Sequence, residues 1–216
     1  MNRTFKLTSI AMLTGLSIVT NLFTIPLSGS NSMSFTIAIC FFTGIYFGIL
    51  PAAIVGFTGD LVAHFIFPHG AYNMFLALST TLFGVICALV YRIKLPKLAK
   101  LVIAAVICYV VCLCGLNTFG LWLQFIVGVK QSVLGVGIYS VIEFIKMGQA
   151  GIKKSFWLYL AGRAGWSAIN IVVNVVIVAG LQQSGVIEKL MTKILNKDKA
   201  EQANQKQLDE STKEDE

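Results

Sequence analysis

The chain has 216 residues and a formal net charge of +7; 56% of its residues are hydrophobic and only 12% charged. A soluble domain of this size carries about twice that charged share, so a water-soluble globular protein is excluded, and the mean hydropathy of +0.78 points to lipid. The positive excess sits in short segments between or beyond apolar runs, where Lys and Arg set membrane orientation, and no separate basic domain exists to hold a nucleic acid.

Apolar runs of roughly 18 residues or more recur along most of the chain, the mark of membrane-spanning helices. The first covers about residues 5–23 and has no small-residue cleavage site after it, so it is read as a span and not as a signal peptide. Pro26 and the polar run Ser28, Gly29, Ser30, Asn31 and Ser32 end it. Span two covers about 34–47, with a turn from Gly48 to Pro51. Span three covers about 52–67 and ends at Pro68, His69 and Gly70. Span four runs over about 73–91. A connector over 92–100 follows, with Arg92, Lys94, Lys97 and Lys100 and no acid. Span five covers about 101–125, and the last span about 158–181.

Between those two, 126–156 contains Lys130, Glu143, Lys146, Lys153 and Lys154, and its central apolar piece is short. That length suits an outer loop or interfacial helix better than a span. Six spans also place Arg3, Lys6, the 92–100 connector and the Lys-rich tail on one side, the cytoplasm. From Glu188 the chain is charged and Gln-rich with no aromatic residue, which reads as a soluble, disordered tail that begins with a short helix. The expectation is an all-α integral membrane protein: one compact bundle of about six transmembrane helices over 1–187, then a cytoplasmic tail over 188–216.

The polar residues inside these spans are the candidates for function. Asp60 and Glu143 are the only acidic residues before Glu188. Asp60 and His64 are one helical turn apart; they read as a pair packed between helices, pinning the loop that follows. His69 lies beyond a proline, so no third metal ligand is supplied. Cys40, Cys87, Cys108, Cys112 and Cys114 all lie in apolar runs and read as packing residues. Arg163 stands in the last span. Its charge is fixed, so it needs an internal acid such as Glu143 or Asp60, a route to the surface, or a substrate carboxylate. Asn117, Asn170 and Asn174 can bond between helices or face a ligand. Trp157, Trp166, Tyr159 and Tyr72 suit either a membrane-interface belt or stacking on a flat ring. Ala11 and Gly15 put two small residues on one face of span one, which lets another helix approach closely.

No nucleotide-binding loop, paired catalytic carboxylates or nucleophile elbow is present. A different pattern stands out: Ser34-Phe35, then Gly44 through Leu61, then Phe67-Pro68-His69-Gly70-Ala71-Tyr72. It resembles the folate-family substrate-binding (S) components of energy-coupling factor (ECF) transporters, with their Ser-Phe start to span two, Gly-x-x-x-Gly-Pro-like turn, Asp-Leu pair and Phe-Pro-x-Gly-x-Tyr loop. The resemblance is fullest over about 4–92 and looser at Leu116-Asn117-Thr118 and Arg163.

What the resemblance implies is a vitamin-capturing membrane subunit with no catalytic residues, no cofactor and no metal. Tyr72, Asn73, Asn117, Trp157, Arg163, Trp166 and Asn170 would bind the vitamin, with folate the first expectation. Asp60 would be structural, and the loop before Tyr72 would help roof the cavity. Ala11 and Gly15 would dock on a transmembrane coupling protein that works with two ATP-binding subunits. The setting would be the cell membrane, with both termini cytoplasmic. Trp166 stands where a basic residue is expected, and folate carries two carboxylates. An S component for pantothenate, with one, is therefore the rival. A self-sufficient secondary transporter is the alternative of a different class; it would show internal repeats, and none is evident.

Overall fold

A computed structural model of the chain describes residues 3–28, 31–67, 72–125 and 150–185, together with 189 and 192. Helix α1 (Arg3–Leu22) leads into a small antiparallel hairpin, β1 (Ile25–Ser28) and β2 (Asn31–Met33). Helices α2 (Thr36–Phe47), α3 (Ile49–Ile66) and α4 (Met74–Val90) follow. The next rod is continuous: α5 (Lys97–Cys108), a π-helical run (Tyr109–Asn117) and α6 (Thr118–Phe125). The last helix is α7 (Ala150–Gln183).

Among the described residues six apolar helical rods stand where the six spans were expected, and the chain is an all-α membrane bundle. Three rods, Ile49–Ile66, Lys97–Gln124 and Phe156–Gln183, are long and apolar enough to cross a membrane unaided. The apolar stretches of the other three, Lys6–Leu22, Thr36–Phe47 and Met74–Val90, are shorter. Helix α2 has 12 residues, a rise of about 18 Å, against a hydrocarbon core of about 30 Å. It is the central rod, with no exposed residue along it. Ile37, Phe41, Phe83, Cys87, Leu101, Ala104, Cys108 and Val178 form the main core around it. Large apolar side chains such as Leu7, Met12, Val102, Val106, Val172 and Val176 face outward, as lipid requires.

Several expected boundaries shift. Ser28, Asn31 and Ser32 of the polar run do more than stop a span: they fall in the strands of the hairpin, which also pairs Ile25 with Met33. The turn expected from Gly48 to Pro51 is Gly48 alone, at φ 90°, where a glycine meets no Cβ penalty. Pro51 falls in the first turn of α3, where its missing N–H costs nothing. The 92–100 connector ends early, because Pro96 precedes a helix that starts at Lys97. Residues 150–156, expected in an outer loop or interfacial helix, instead belong to α7; no proline interrupts them. The rest of that segment, 126–149, lies outside the described residues, and so does Glu143. Of the expected tail only Lys189 and Thr192 are described, both helical.

Close helix approach sets the packing. A Cβ on Gly44 would strike the Gly84 carbonyl, and one on Gly59 would strike the Ser17 hydroxyl. A Cβ on Gly84 would lie 2.7 Å from the Ala52 Cβ and 3.0 Å from the Cys40 carbonyl. Gly15 differs, with nothing within 4 Å. Gly84→Ala should therefore destabilise the protein by about 1–3 kcal/mol, the usual cost of overpacking, while Gly15→Ala should not destabilise it, since a mid-helix Gly with open space gains from Ala. Thermal melting of both variants in detergent checks this; equal melting points would overturn the packing account.

Candidate functional site

The short α2 leaves room at one end of the bundle, and a cavity of about 270 Å³ lies there. The end of α1 and the hairpin supply Asn21, Thr24 and Ser32, and the start of α2 supplies Ser34 and Thr36. The last turns of α3 add Asp60 and His64; the start of α4 adds Asn73 and Thr80; the long rod adds Asn117 and Gln124. Asn170 of α7 closes the ring. A second cavity of about 120 Å³ shares Leu76, Leu113, Asn117, Leu121 and Asn170 with the first, so the two adjoin. It is walled in addition by Arg163, Trp166 and Ser167.

Local structure explains these placements. The π-helical run ends on Asn117, and wide π turns of this kind recur where a helix must present a side chain to a site. Its backbone needs extra partners, since lipid supplies none. The Ser79 hydroxyl donates to the Cys112 carbonyl at 3.3 Å, and the Thr118 hydroxyl to the Leu113 carbonyl at 2.7 Å. Asn73 caps α4: its Oδ1 accepts from the Phe75 N–H at 3.1 Å, and its Nδ2 donates to Gln124 Oε1 at 3.0 Å. Asn174, fully buried, accepts from the Ala38 N–H at 3.0 Å. Its Nδ2 donates to the Ser34 carbonyl and to the carbonyl and Oδ1 of Asn170, at 2.9, 2.8 and 3.0 Å.

Of the residues expected to bind substrate, Tyr72 and Asn73 line the larger cavity, Arg163 and Trp166 the smaller, and Asn117 and Asn170 both. Trp157 is apart from them, 67% exposed and outside both walls. Arg163 is 7% exposed; it donates to the Tyr159 hydroxyl at 3.4 Å and lies over that ring. Among the described residues, Tyr72 Oη and Asn117 Oδ1 are buried with no hydrogen-bond partner. Burial, and then the Asp60 carboxylate, push the Tyr72 hydroxyl up to about 12, so it keeps its proton at neutral pH. Among the described residues no group of side chains is arranged to hold a metal.

Asp60 and His64 do more than pack between helices: both face the larger cavity. Asn21 Nδ2 donates to Asp60 Oδ1 at 3.2 Å, and the His64 ring stands 5.1 Å from that of Tyr72. Sequence reading passed over Asn21 and Gln124, which sit at span ends where polar residues are ordinary. Ala11 and Gly15 lie far from this wall, on an exposed face of α1.

A family model described as the substrate-specific component of ECF transporters matches residues 5–181. The chain belongs to that family. The family is a substrate-binding part of a transporter and not an enzyme class. The S component resembles a solved structure described as the S component of a bacterial ECF transporter, at 17% identity and a TM-score of 0.59, over 85% of this chain and 96% of that one. It also resembles FolT bound with folic acid, at 20% identity and a TM-score of 0.51, over 76% and 95%. At these identities the likeness is one of fold. No curated protein sequence matches this S component.

Asn73 joins the fold of the S component to its cavity. Asn73→Ala should lower stability by about 1 kcal/mol through loss of the cap and release Gln124. Asn73→Ser should keep the cap and most of the stability, yet still lose the donor to Gln124. Melting points of the two variants check the order; equal losses would remove the cap from the account.

Proposed function

We propose that this S component is the vitamin-binding subunit of an ECF-type ABC importer. It captures folate or a related water-soluble vitamin outside the cell, then delivers it by associating with a membrane coupling protein and two ATPases. The observation that carries the reading is the pair of adjoining cavities, apolar in part but ringed by amides, with Asp60 in one wall and Arg163 in the other. Together they reach the lower range of small-molecule sites, roughly 300–1,000 Å³.

Orientation supports capture from outside. The larger cavity lies at the starts of α2 and α4 and the ends of α3 and α6. The basic stretch Arg92 to Lys100 joins the opposite ends of α4 and α5. Positive charge marks the cytoplasmic side, so the cavity belongs to the outer side of the cell membrane. Ala11 and Gly15 suit docking on the coupling protein, since their face of α1 is open.

The chain purified alone, without ATPases, should bind one vitamin from a labelled panel that includes folic acid and pantothenate. Binding to none of them would end the proposal. Uptake driven without any ATPase would instead favour a secondary transporter. Arg163 is assigned the vitamin carboxylate, which a guanidinium fork meets with two parallel bonds. Arg163→Ala should weaken binding by about 2–5 kcal/mol, and Arg163→Lys should recover part of that. Unchanged affinity with a lower melting point would give Arg163 a structural role only.

Replacing both Ala11 and Gly15 by large residues should impair uptake by the assembled transporter and spare vitamin binding, because bulk keeps helix backbones apart. Equal loss of both, in transport and filter-binding assays, would count against the docking role.

A further inference from the structure

Asp60 is a carboxylate at membrane depth, and such groups are costly unless something meets them. Among the described residues, Asn21 Nδ2 is its hydrogen-bond partner, on Oδ1 alone. Asn21 is itself held, since its Oδ1 accepts from the Thr36 hydroxyl at 3.4 Å, and Thr36 accepts from Ser34 at 2.8 Å. That chain of bonds anchors the carboxylate in the cavity wall and engages Oδ1, with no bond to Oδ2 among the described residues. Beside it lie the buried Tyr72 hydroxyl, unpartnered among the described residues, and the His64 ring.

The other end has the opposite polarity. Asp60 lines only the larger cavity and Arg163 only the smaller, with Asn117 and Asn170 shared between them. The Asn170 oxygen is occupied by Asn174, which leaves the Asn170 NH₂ group to donate. Gln124, whose oxygen is likewise held by Asn73, lines the larger cavity with Asp60 and offers its donors there. The composite cavity therefore carries its carboxylate at one end, at Asp60, and its fixed positive charge at the other, at Arg163.

We infer that the cavity selects a bipolar ligand, a flat heterocycle whose amidine-type N–H edge sits on Asp60 and whose carboxylate sits toward Arg163, and that Asp60 determines specificity for that edge. A 2-amino-4-oxopyrimidine edge presents two adjacent N–H groups, which a carboxylate accepts as a bidentate pair. The inference rests on the vitamin-binding reading above, and it narrows folate or a related vitamin to a ring of this class. It also sets the direction of entry, ring toward α3 and acid toward α7.

The test compares wild type with Asp60→Asn in detergent, using folic acid, its 2-deamino analogue, p-aminobenzoylglutamate and pantothenate as probes. Wild type should bind folic acid about 10- to 100-fold more tightly than the 2-deamino analogue, the scale of a hydrogen bond to a charged group. Asp60→Asn should lose a similar factor for folic acid, and the gap between the two ligands should shrink to within about threefold. Affinity for p-aminobenzoylglutamate, which lacks the ring edge, should not change. A variant with full affinity for folic acid, or a loss that leaves the 2-deamino gap intact, would overturn the assignment. Should Asp60→Asn fail to fold, the wild-type comparison decides alone, and equal affinity for the two ligands overturns it. Wild type binding pantothenate and not folic acid would overturn this inference while leaving vitamin import standing; binding to no vitamin would remove both.

Discussion

One buried amide ties α7 to the centre of the bundle. Asn174 accepts from the Ala38 N–H and donates to the Ser34 carbonyl, so α7 is hydrogen-bonded to the start of α2. In lipid no water can serve such groups, and each one left unmet costs several kcal/mol. The first turn of α2 is where the need is greatest, because helix starts leave N–H groups without internal partners. Asn174 adds a second acceptor to one of them, the Ala38 N–H that also bonds the Phe35 carbonyl at 3.1 Å, from 136 residues away. The position of α2 at the centre of the bundle, and the space above it, both depend on that tie.

The same amide sets the chemistry of the wall. By occupying the Asn170 oxygen it decides which half of the Asn170 side chain remains for a ligand. Asn73 does this for Gln124, and Thr36 for Asn21. An asparagine or glutamine is ambivalent by nature, with both donor and acceptor atoms. Here second partners remove the ambivalence one residue at a time. The binding pattern of the cavity is thus encoded partly in residues that do not line it, Asn174 among them.

The long apolar runs made the rods readable, since few other solutions suit lipid. The hairpin was not readable, because three or four residues such as Ile25–Ser28 carry no periodic signal. The π-helical run was equally hidden: Tyr109 to Asn117 has the composition of any apolar helix, and two of its carbonyls are met by hydroxyls from Ser79 and Thr118. In the cavity, Asn117, Asn170, Arg163 and Trp166 were legible because each is polar or bulky where an apolar residue is the default. Trp157 carried the same signal, yet the structure puts it outside the wall, since a belt residue and a cavity residue look alike in sequence. Asp60 and His64 were noticed for their chemistry and read as packing. Only tertiary placement tells an inward carboxylate from one that merely bridges two helices.

The long separation between Ala38 and Asn174 also orders events in time. At about 5–20 residues per second of synthesis, α2 is made roughly 7–27 seconds before its partner on α7, 136 residues later, is added. During that interval the Ser34 carbonyl and Ala38 N–H lack their final partner, and one wall of the cavity does not yet exist. The nascent bundle must therefore wait in the membrane with its centre unclosed, relying on the insertion machinery or early helix pairs such as α1 with α3. Binding competence arrives in one late step, when α7 inserts.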